Sequence, residues 1–147
     1  MDIQALVSLD RTECAVQCNS KKRILEIISN IAAKNNPEID QAAVLTSLLS
    51  RERMGSTGIG NGIALPHGRL PGLEKVIAIV VTSSPAIDFD AIDNQPVDIF
   101  FTLLVPEDQT EGHLQTLATV ASKLNDKETV KAIRRASTSD DIITALQ

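Results

Sequence analysis

Two stretches of this chain leave little choice of fold. Val76-Ile77-Ala78-Ile79-Val80-Val81 and Val97-Asp98-Ile99-Phe100-Phe101-Thr102-Leu103-Leu104-Val105 are nearly unbroken apolar runs rich in β-branched residues. Side chains alternate across a strand, so a strand that is apolar at successive positions needs cover on both faces. Pro106 ends the second run by withholding a backbone donor. The remaining sequence carries the period of the covering helices. Ser20 is placed to cap a helix running to about Lys34, with Ile24, Ile27, Ile28 and Ile31 on one stripe and Asn35-Asn36-Pro37 as its stop. Asp40 is placed to cap a second helix. Val44, Leu45, Leu48 and Leu49 form its inner face, and Arg51, Glu52 and Arg53 its end. A third helix is predicted from Glu111 to Leu124 through Leu114, Leu117, Ala118, Ala121 and Leu124. Two short helices, from Lys127 to Arg135 and from Ser139 to Leu146, close the chain, the last capped by Ser139. Ile63-Ala64-Leu65 is a short strand, and the alternation of Ile87-Asp88-Phe89-Asp90 suits an edge strand. Strands interleaved with helices predict an α/β fold: one domain over residues 1–147, with a largely parallel or mixed sheet covered by helices.

Composition narrows the function. Hydrophobic residues make up 43%, yet the only aromatics are three Phe, so the core is built from Leu, Ile, Val and Ala and no stacking platform for single-stranded nucleic acid is available. Fourteen Lys and Arg against 19 Asp and Glu, a net charge of −5, disfavour a general nucleic-acid binder and leave room only for a local basic spot. No apolar run approaches the roughly 18 residues of a membrane span. Met1-Asp2-Ile3-Gln4 lacks the basic start and apolar stretch of a signal peptide, so the expected compartment is the cytoplasm. Cys14, Cys18, His67 and His113 lack the spacing of a structural zinc site, and two reduced, buried or half-buried thiols are expected instead.

Chemistry is concentrated in one segment. Gly55-Ser56-Thr57-Gly58-Ile59-Gly60-Asn61-Gly62 holds four glycines in eight residues. It is neither the dinucleotide fingerprint, since its third glycine is misplaced, nor a Walker A loop, since no Gly-Lys-Ser/Thr follows. It is open to two readings: a flexible turn, or a loop whose N–H groups and Ser56 and Thr57 hydroxyls approach an anion. Pro66-His67-Gly68 comes next. A histidine just past a short strand can be held by a carbonyl at one ring nitrogen, which leaves the other as a nucleophile. Taken singly, His67 reads more readily as a structural or surface residue, and His113 as an exposed residue of a helical first turn. Together with Arg51, whose planar fork suits two phosphoryl oxygens, the segment has the parts for phosphoryl transfer.

The stretch from Arg51-Glu52-Arg53 through Ser56-Thr57-Gly58 to Ala64-Leu65-Pro66-His67-Gly68 resembles the signature of the fructose/mannitol class of enzyme IIA domains, of the bacterial phosphoenolpyruvate-dependent phosphotransferase system. The resemblance extends to length, strand order and a histidine opening the helix after Val105-Pro106. It implies a mixed, mostly parallel sheet with helices on both faces. It also implies that His67 is the phosphoryl acceptor, that Arg51 lies beside the phosphoryl group, and that His113 helps hold its oxygens. Ser56 and Thr57 match the loop beside them. No metal, nucleotide or other cofactor is implied.

Within the family the run from Ser56 to Ala64 looks most like the nitrogen-regulatory branch. That likeness implies a donor of the nitrogen-type HPr kind and regulatory targets such as potassium transport and sensing proteins. Two other readings remain: a sugar-system enzyme IIA that passes the group to a fructose or mannitol IIB domain, and a non-catalytic interaction module.

Overall fold

The computed structural model describes residues 3–34, 36–108 and 111–147, the side chains of 111–113 excepted. In chain order the elements are α1 (Ile3–Leu6), β1 (Thr12–Val16), α2 (Lys21–Lys34), α3 (Gln41–Arg53), β2 (Gly58–Gly60), β3 (Ile63–Ala64), β4 (His67–Leu70), β5 (Ile77–Ile87), β6 (Val97–Pro106), α4 (Glu111–Leu124), α5 (Lys127–Arg135) and α6 (Ser139–Ala145).

The two apolar runs are β5 and β6, paired antiparallel at the centre of the sheet. Their side chains alternate between two cores. Ile77, Ile79, Val81, Phe100 and Leu104 pack beneath α2 and α3 with Ile24, Leu25, Ile28, Val44 and Leu48. Ala78, Val80, Phe101, Leu103 and Val105 pack on the other face with Val120, Leu124, Val130, Ile133 and Ile142 of α4, α5 and α6. The sheet order is β1-β5-β6-β3-β2, with β4 also paired to β6. β1 is parallel to β5, and both β3 and β4 are parallel to β6; β2 is antiparallel to β3. The result is the mixed, mostly parallel sheet with helices on both faces.

One junction in this sheet sets the position of His67. β3 and β4 run in succession along the same edge of β6, Ile63 and Ala64 beside Ile99 and Phe100, then His67 to Leu70 beside Leu103 to Pro106. Between them, Leu65-Pro66 interrupts the strand. Pro66 has no N–H to give the ladder, but its carbonyl accepts from Leu103 N–H at 3.0 Å. His67 therefore opens β4 at a bend in an edge that is otherwise continuous.

Several sequence expectations are corrected. Ile87 belongs to the end of β5, but Asp88, Phe89 and Asp90 are not strand. Asp88 Oδ1 accepts from Asp90 N–H at 3.2 Å and Asp90 has φ 56°, so the chain turns and folds Phe89 back onto the edge of the Phe100 ring, with centroids 5.4 Å apart. The alternation came from this burial, not from pairing. The last helix is capped by Thr138, not Ser139: Thr138 accepts from Asp141 N–H, and Asp141 returns a bond to the backbone of Thr138. Ser139 instead donates to the carbonyl of Thr12 at 2.7 Å. α1, β1, β2 and β4 are additions. β1 is an edge strand with a bulge at Ala15, whose φ is 55°. The thiols are as expected: Cys14 is half-buried, Cys18 is buried and both are free.

Thr102, at the middle of β6 opposite Ile79, is fully buried and its hydroxyl has no hydrogen-bond partner among the described residues. A dry, unpaired hydroxyl is costly, while valine has the same shape and suits a strand. Thr102→Val is expected to stabilise the protein by about 1 kcal/mol, measured as a rise in the urea midpoint without a change of slope.

Candidate functional site

α3 brings Arg51 and Glu52 to its C-terminal end, where Met54 N–H bonds back to the Arg51 carbonyl and Gly55 N–H to the Glu52 carbonyl. The chain then leaves through Gly55, whose φ of 142° few side chains tolerate. This loop passes in front of the Leu65-Pro66 bend. Leu65 N–H donates to the Thr57 carbonyl at 3.0 Å, which ties loop and bend together.

At the bend, His67 Nδ1 lies 2.9 Å from the Leu65 carbonyl. A carbonyl can only accept, so this contact places the proton on Nδ1 and the lone pair on Nε2. Arg51 Nε donates to Nε2 at 3.3 Å, and its Nη1 donates to the Gly55 carbonyl at 2.9 Å. Burial pushes the His67 imidazole below its ordinary value, and the Arg51 charge adds to this. The bond to Leu65 and the charge of Glu52 oppose them. The net effect is a neutral ring, as a nitrogen nucleophile requires.

His67, Arg51, Ser56 and Thr57 line one shallow groove of about 340 Å³, whose far wall is Leu117, Ala118 and Ala121 of α4. The sequence-predicted residues thus come together, except that the side chain of His113 lies outside the described residues. The two hydroxyls are engaged within the loop. Ser56 Oγ donates to the Phe89 carbonyl and accepts from Gly58 N–H, both at 3.0 Å. Thr57 donates both its N–H, at 2.9 Å, and its hydroxyl to Glu52 Oε1.

The second half of the glycine segment is a hairpin turn. Asn61 and Gly62, with φ of 58° and 79°, join β2 to β3, as an Asn-Gly pair favours. Arg134 fixes it by donating to the Asn61 carbonyl while holding both oxygens of Asp98. Gly68 is needed for a different reason than ring access: a Cβ there would collide with Ser47 of α3, which donates to the Arg69 carbonyl at 2.8 Å. Among the described residues no cluster of three His, Cys, Asp or Glu side chains could hold a metal ion. Nor is any helix there long and apolar enough to cross a membrane.

The profile of the EIIA 2 proteins of the phosphoenolpyruvate-dependent sugar phosphotransferase system matches residues 5–147. The chain belongs to this EIIA family. It is 46% identical over 143 residues to a nitrogen regulatory protein of Escherichia coli strain K12, covering 97% of this chain and 87% of that protein. It is 30% identical over 131 residues to a fructose-like EIIA component from the same strain, covering 89% and 88%. Its structure matches that of the nitrogen regulatory protein IIA-Ntr from Neisseria meningitidis with a TM-score of 0.90 at 31% identity, over 99% of both chains.

Sequence reasoning had Glu52 only as part of an Arg-Glu pair. In this EIIA chain it is a buried carboxylate, paired with Lys21 Nζ at 2.8 Å, and Lys21 also lies over the Phe89 ring, 4.7 Å from its centroid. The signal was in the helical period: Val44, Leu48 and Glu52 recur every four residues on the buried face of α3.

The depressed His67 value has a sign that can be checked. The unfolded chain binds a proton near pH 6.5 and the folded chain only at lower pH. Stability from this group is therefore complete above pH 6.5 and declines as pH falls below it. His67→Gln, which cannot titrate, is expected to flatten that decline in urea unfolding between pH 7 and pH 5. The ring protons of wild-type His67 should titrate below 6.5 by NMR.

Proposed function

We propose that this EIIA domain is a regulatory phosphocarrier of the nitrogen-type phosphotransferase system, and that His67 Nε2 takes the phosphoryl group from a phosphohistidine of an HPr-like protein. The single observation that carries this is the tautomer. Nδ1 is committed to the Leu65 carbonyl, so the lone pair of a neutral ring is on Nε2, beside Arg51. In the transfer, Nε2 attacks phosphorus, and the donor's N–P bond breaks with its electron pair returning to the donor imidazole. His67 becomes a phosphoimidazolium that keeps its Nδ1 proton toward Leu65. No electrons change hands and no metal or nucleotide enters the balance.

Arg51 serves the charge of the transferred group. Its guanidinium, within reach of Nε2, can turn two N–H donors to phosphoryl oxygens. His113 is assigned the same task. Position 113 stands one helical turn ahead of Leu117, which lines the groove. Ser56 and Thr57 belong to the loop that forms the groove wall.

The regulatory reading, rather than delivery to a sugar IIB domain, is favoured by the 46% identity to a nitrogen regulatory protein against 30% to a fructose-like EIIA component. Its partners are then a nitrogen-type HPr upstream and, downstream, targets such as potassium transport and sensing proteins in the cytoplasm. A phosphoryl group adds up to about two negative charges to the groove, so a target that packs over His67 binds the unmodified form better.

Incubation with phosphoenolpyruvate, enzyme I and HPr should add one phosphoryl group, labile in acid and stable in base, and none to folded His67→Ala. Full labelling of that variant would refute the assignment. Arg51→Ala and His113→Ala should still be labelled at His67, more slowly by roughly 10- to 150-fold, the worth of one charge-assisted hydrogen bond formed in the transition state. Arg51→Lys should recover only part of the loss, since an ammonium is a point charge. Quench-flow transfer from phospho-HPr reads all of these.

A further inference from the structure

The inner face of α3 raises a question that packing alone does not answer. Val44 and Leu48 fill it with apolar side chains, yet one turn on stands Glu52, 8% exposed. A carboxylate in that position is expensive unless several donors satisfy it, and an apolar residue of similar size would fill the space at lower cost. Its donors are specific. Oε1 takes the Thr57 N–H at 2.9 Å and the Thr57 hydroxyl; Oε2 accepts no hydrogen bond among the described residues and is matched by charge alone, with the Lys21 ammonium at 2.8 Å. Lys21 is itself held, over the Phe89 ring and 3.7 Å from Asp90 Oδ2.

From Thr57 the contacts run directly to the acceptor. The Thr57 carbonyl takes the Leu65 N–H at 3.0 Å, and the Leu65 carbonyl takes the His67 Nδ1 proton at 2.9 Å. Glu52 is not among the residues that line the groove, although its charge is felt at the His67 ring. It grips the residue whose carbonyl holds the Leu65 N–H. The carbonyl that takes the His67 ring belongs to the next peptide, Leu65–Pro66, which has no N–H of its own by which it could be held, so Leu65 is fixed through its own N–H.

We propose that Glu52 is a positioning residue for phosphoryl transfer: through Thr57 and Leu65 it holds His67 in the Nδ1–H tautomer with Nε2 turned toward the donor, and the ion pair with Lys21 holds its carboxylate in place. This rests on the reading of His67 as the acceptor. It differs from a role in clamping the phosphoryl group, which would need Glu52 to face the groove, and a carboxylate there would repel phosphoryl oxygens. It also explains why a charged side chain occupies a core position: two bonds from one oxygen to one residue fix that residue's direction as an apolar contact could not.

The test compares Glu52→Ala, Glu52→Gln and Thr57→Val with wild type by two readouts. Correlation of the ring protons and nitrogens in 15N-labelled protein at neutral pH gives the tautomer of His67. Single-turnover transfer from phospho-HPr gives the rate. Wild type should show the Nδ1–H form alone. In Glu52→Ala a measurable share of His67 should change to the Nε2–H form, and transfer should slow by about tenfold or more, the equivalent of a lost 1.4 kcal/mol bond. Glu52→Gln keeps an oxygen for the Thr57 donors and should recover most of the tautomer and part of the rate. Thr57→Val, which keeps the N–H but loses the hydroxyl, should move both readouts in the direction of Glu52→Ala. A folded Glu52→Ala with the wild-type tautomer overturns the proposal, whatever its rate. Should Glu52→Ala not fold, an unchanged tautomer in Thr57→Val overturns it instead. Wild-type protein that accepts no phosphoryl group would refute the function proposed for His67, while the tautomer comparison would still decide the role of Glu52.

Discussion

The demand that shapes this molecule is that β6, buried on both faces, must pair its backbone on both edges. β5 satisfies one edge without a break over most of its length. The other edge is satisfied by two short pieces, β3 and β4, with Leu65-Pro66 between them. A buried backbone group without a partner costs about as much as a lost hydrogen bond, so the interruption is tolerated only because the Pro66 carbonyl still serves Leu103. The interruption is also what frees the Leu65 carbonyl to turn out of the ladder and take the His67 ring. The geometry of the His67 ring is thus a by-product of completing the sheet around a proline. It is anchored through β4 to the buried central strand β6.

Much of this was legible in the sequence, for definite reasons. β5 and β6 were visible because burial on both faces writes a continuous apolar run. α2 and α3 were visible because one-sided burial writes a 3.6-residue period with a capping residue in front: Ser20 accepts from Arg23 N–H and Asp40 from Ala43 N–H. What failed lacked such a signature. β2 and β4 are three and four residues of largely polar or glycine sequence. They are strands because neighbours pair with them, not because of their own propensity. Phe89 alternates with its flanking aspartates, yet the cause is a turn that tucks one ring into the core.

The site divides along the same line. His67, Arg51, Ser56 and Thr57 could be singled out by residue type and spacing, and the groove brings them together. A carbonyl at one nitrogen of His67 was also expected, and Leu65 supplies it. The bonds of Arg51 and Ser56 could not be foreseen, because they depend on backbone carbonyls of Gly55 and Phe89 that no residue type announces. Glu52 is intermediate. Its position on the buried stripe of α3 marks it as anomalous, but its partners, Lys21 and Thr57, come from other parts of the chain and only the fold unites them.

The two bonds of Arg51 give the groove a further property under the proposed chemistry. In the structure its Nε donates to His67 Nε2 and its Nη1 to the Gly55 carbonyl. A nitrogen lone pair serves one partner at a time, so bond formation to phosphorus must end the Arg51–Nε2 hydrogen bond. The freed N–H then needs a new acceptor, and the phosphoryl oxygens are the nearest ones that the reaction itself brings. The arginine that screens the unmodified nucleophile is therefore released to the transferred group by the act of transfer. Its second anchor, the carbonyl of Gly55, lies at the loop next to the exposed Met54 side chain. Under that chemistry, occupancy of Nε2 is coupled through one guanidinium to the backbone of Gly55.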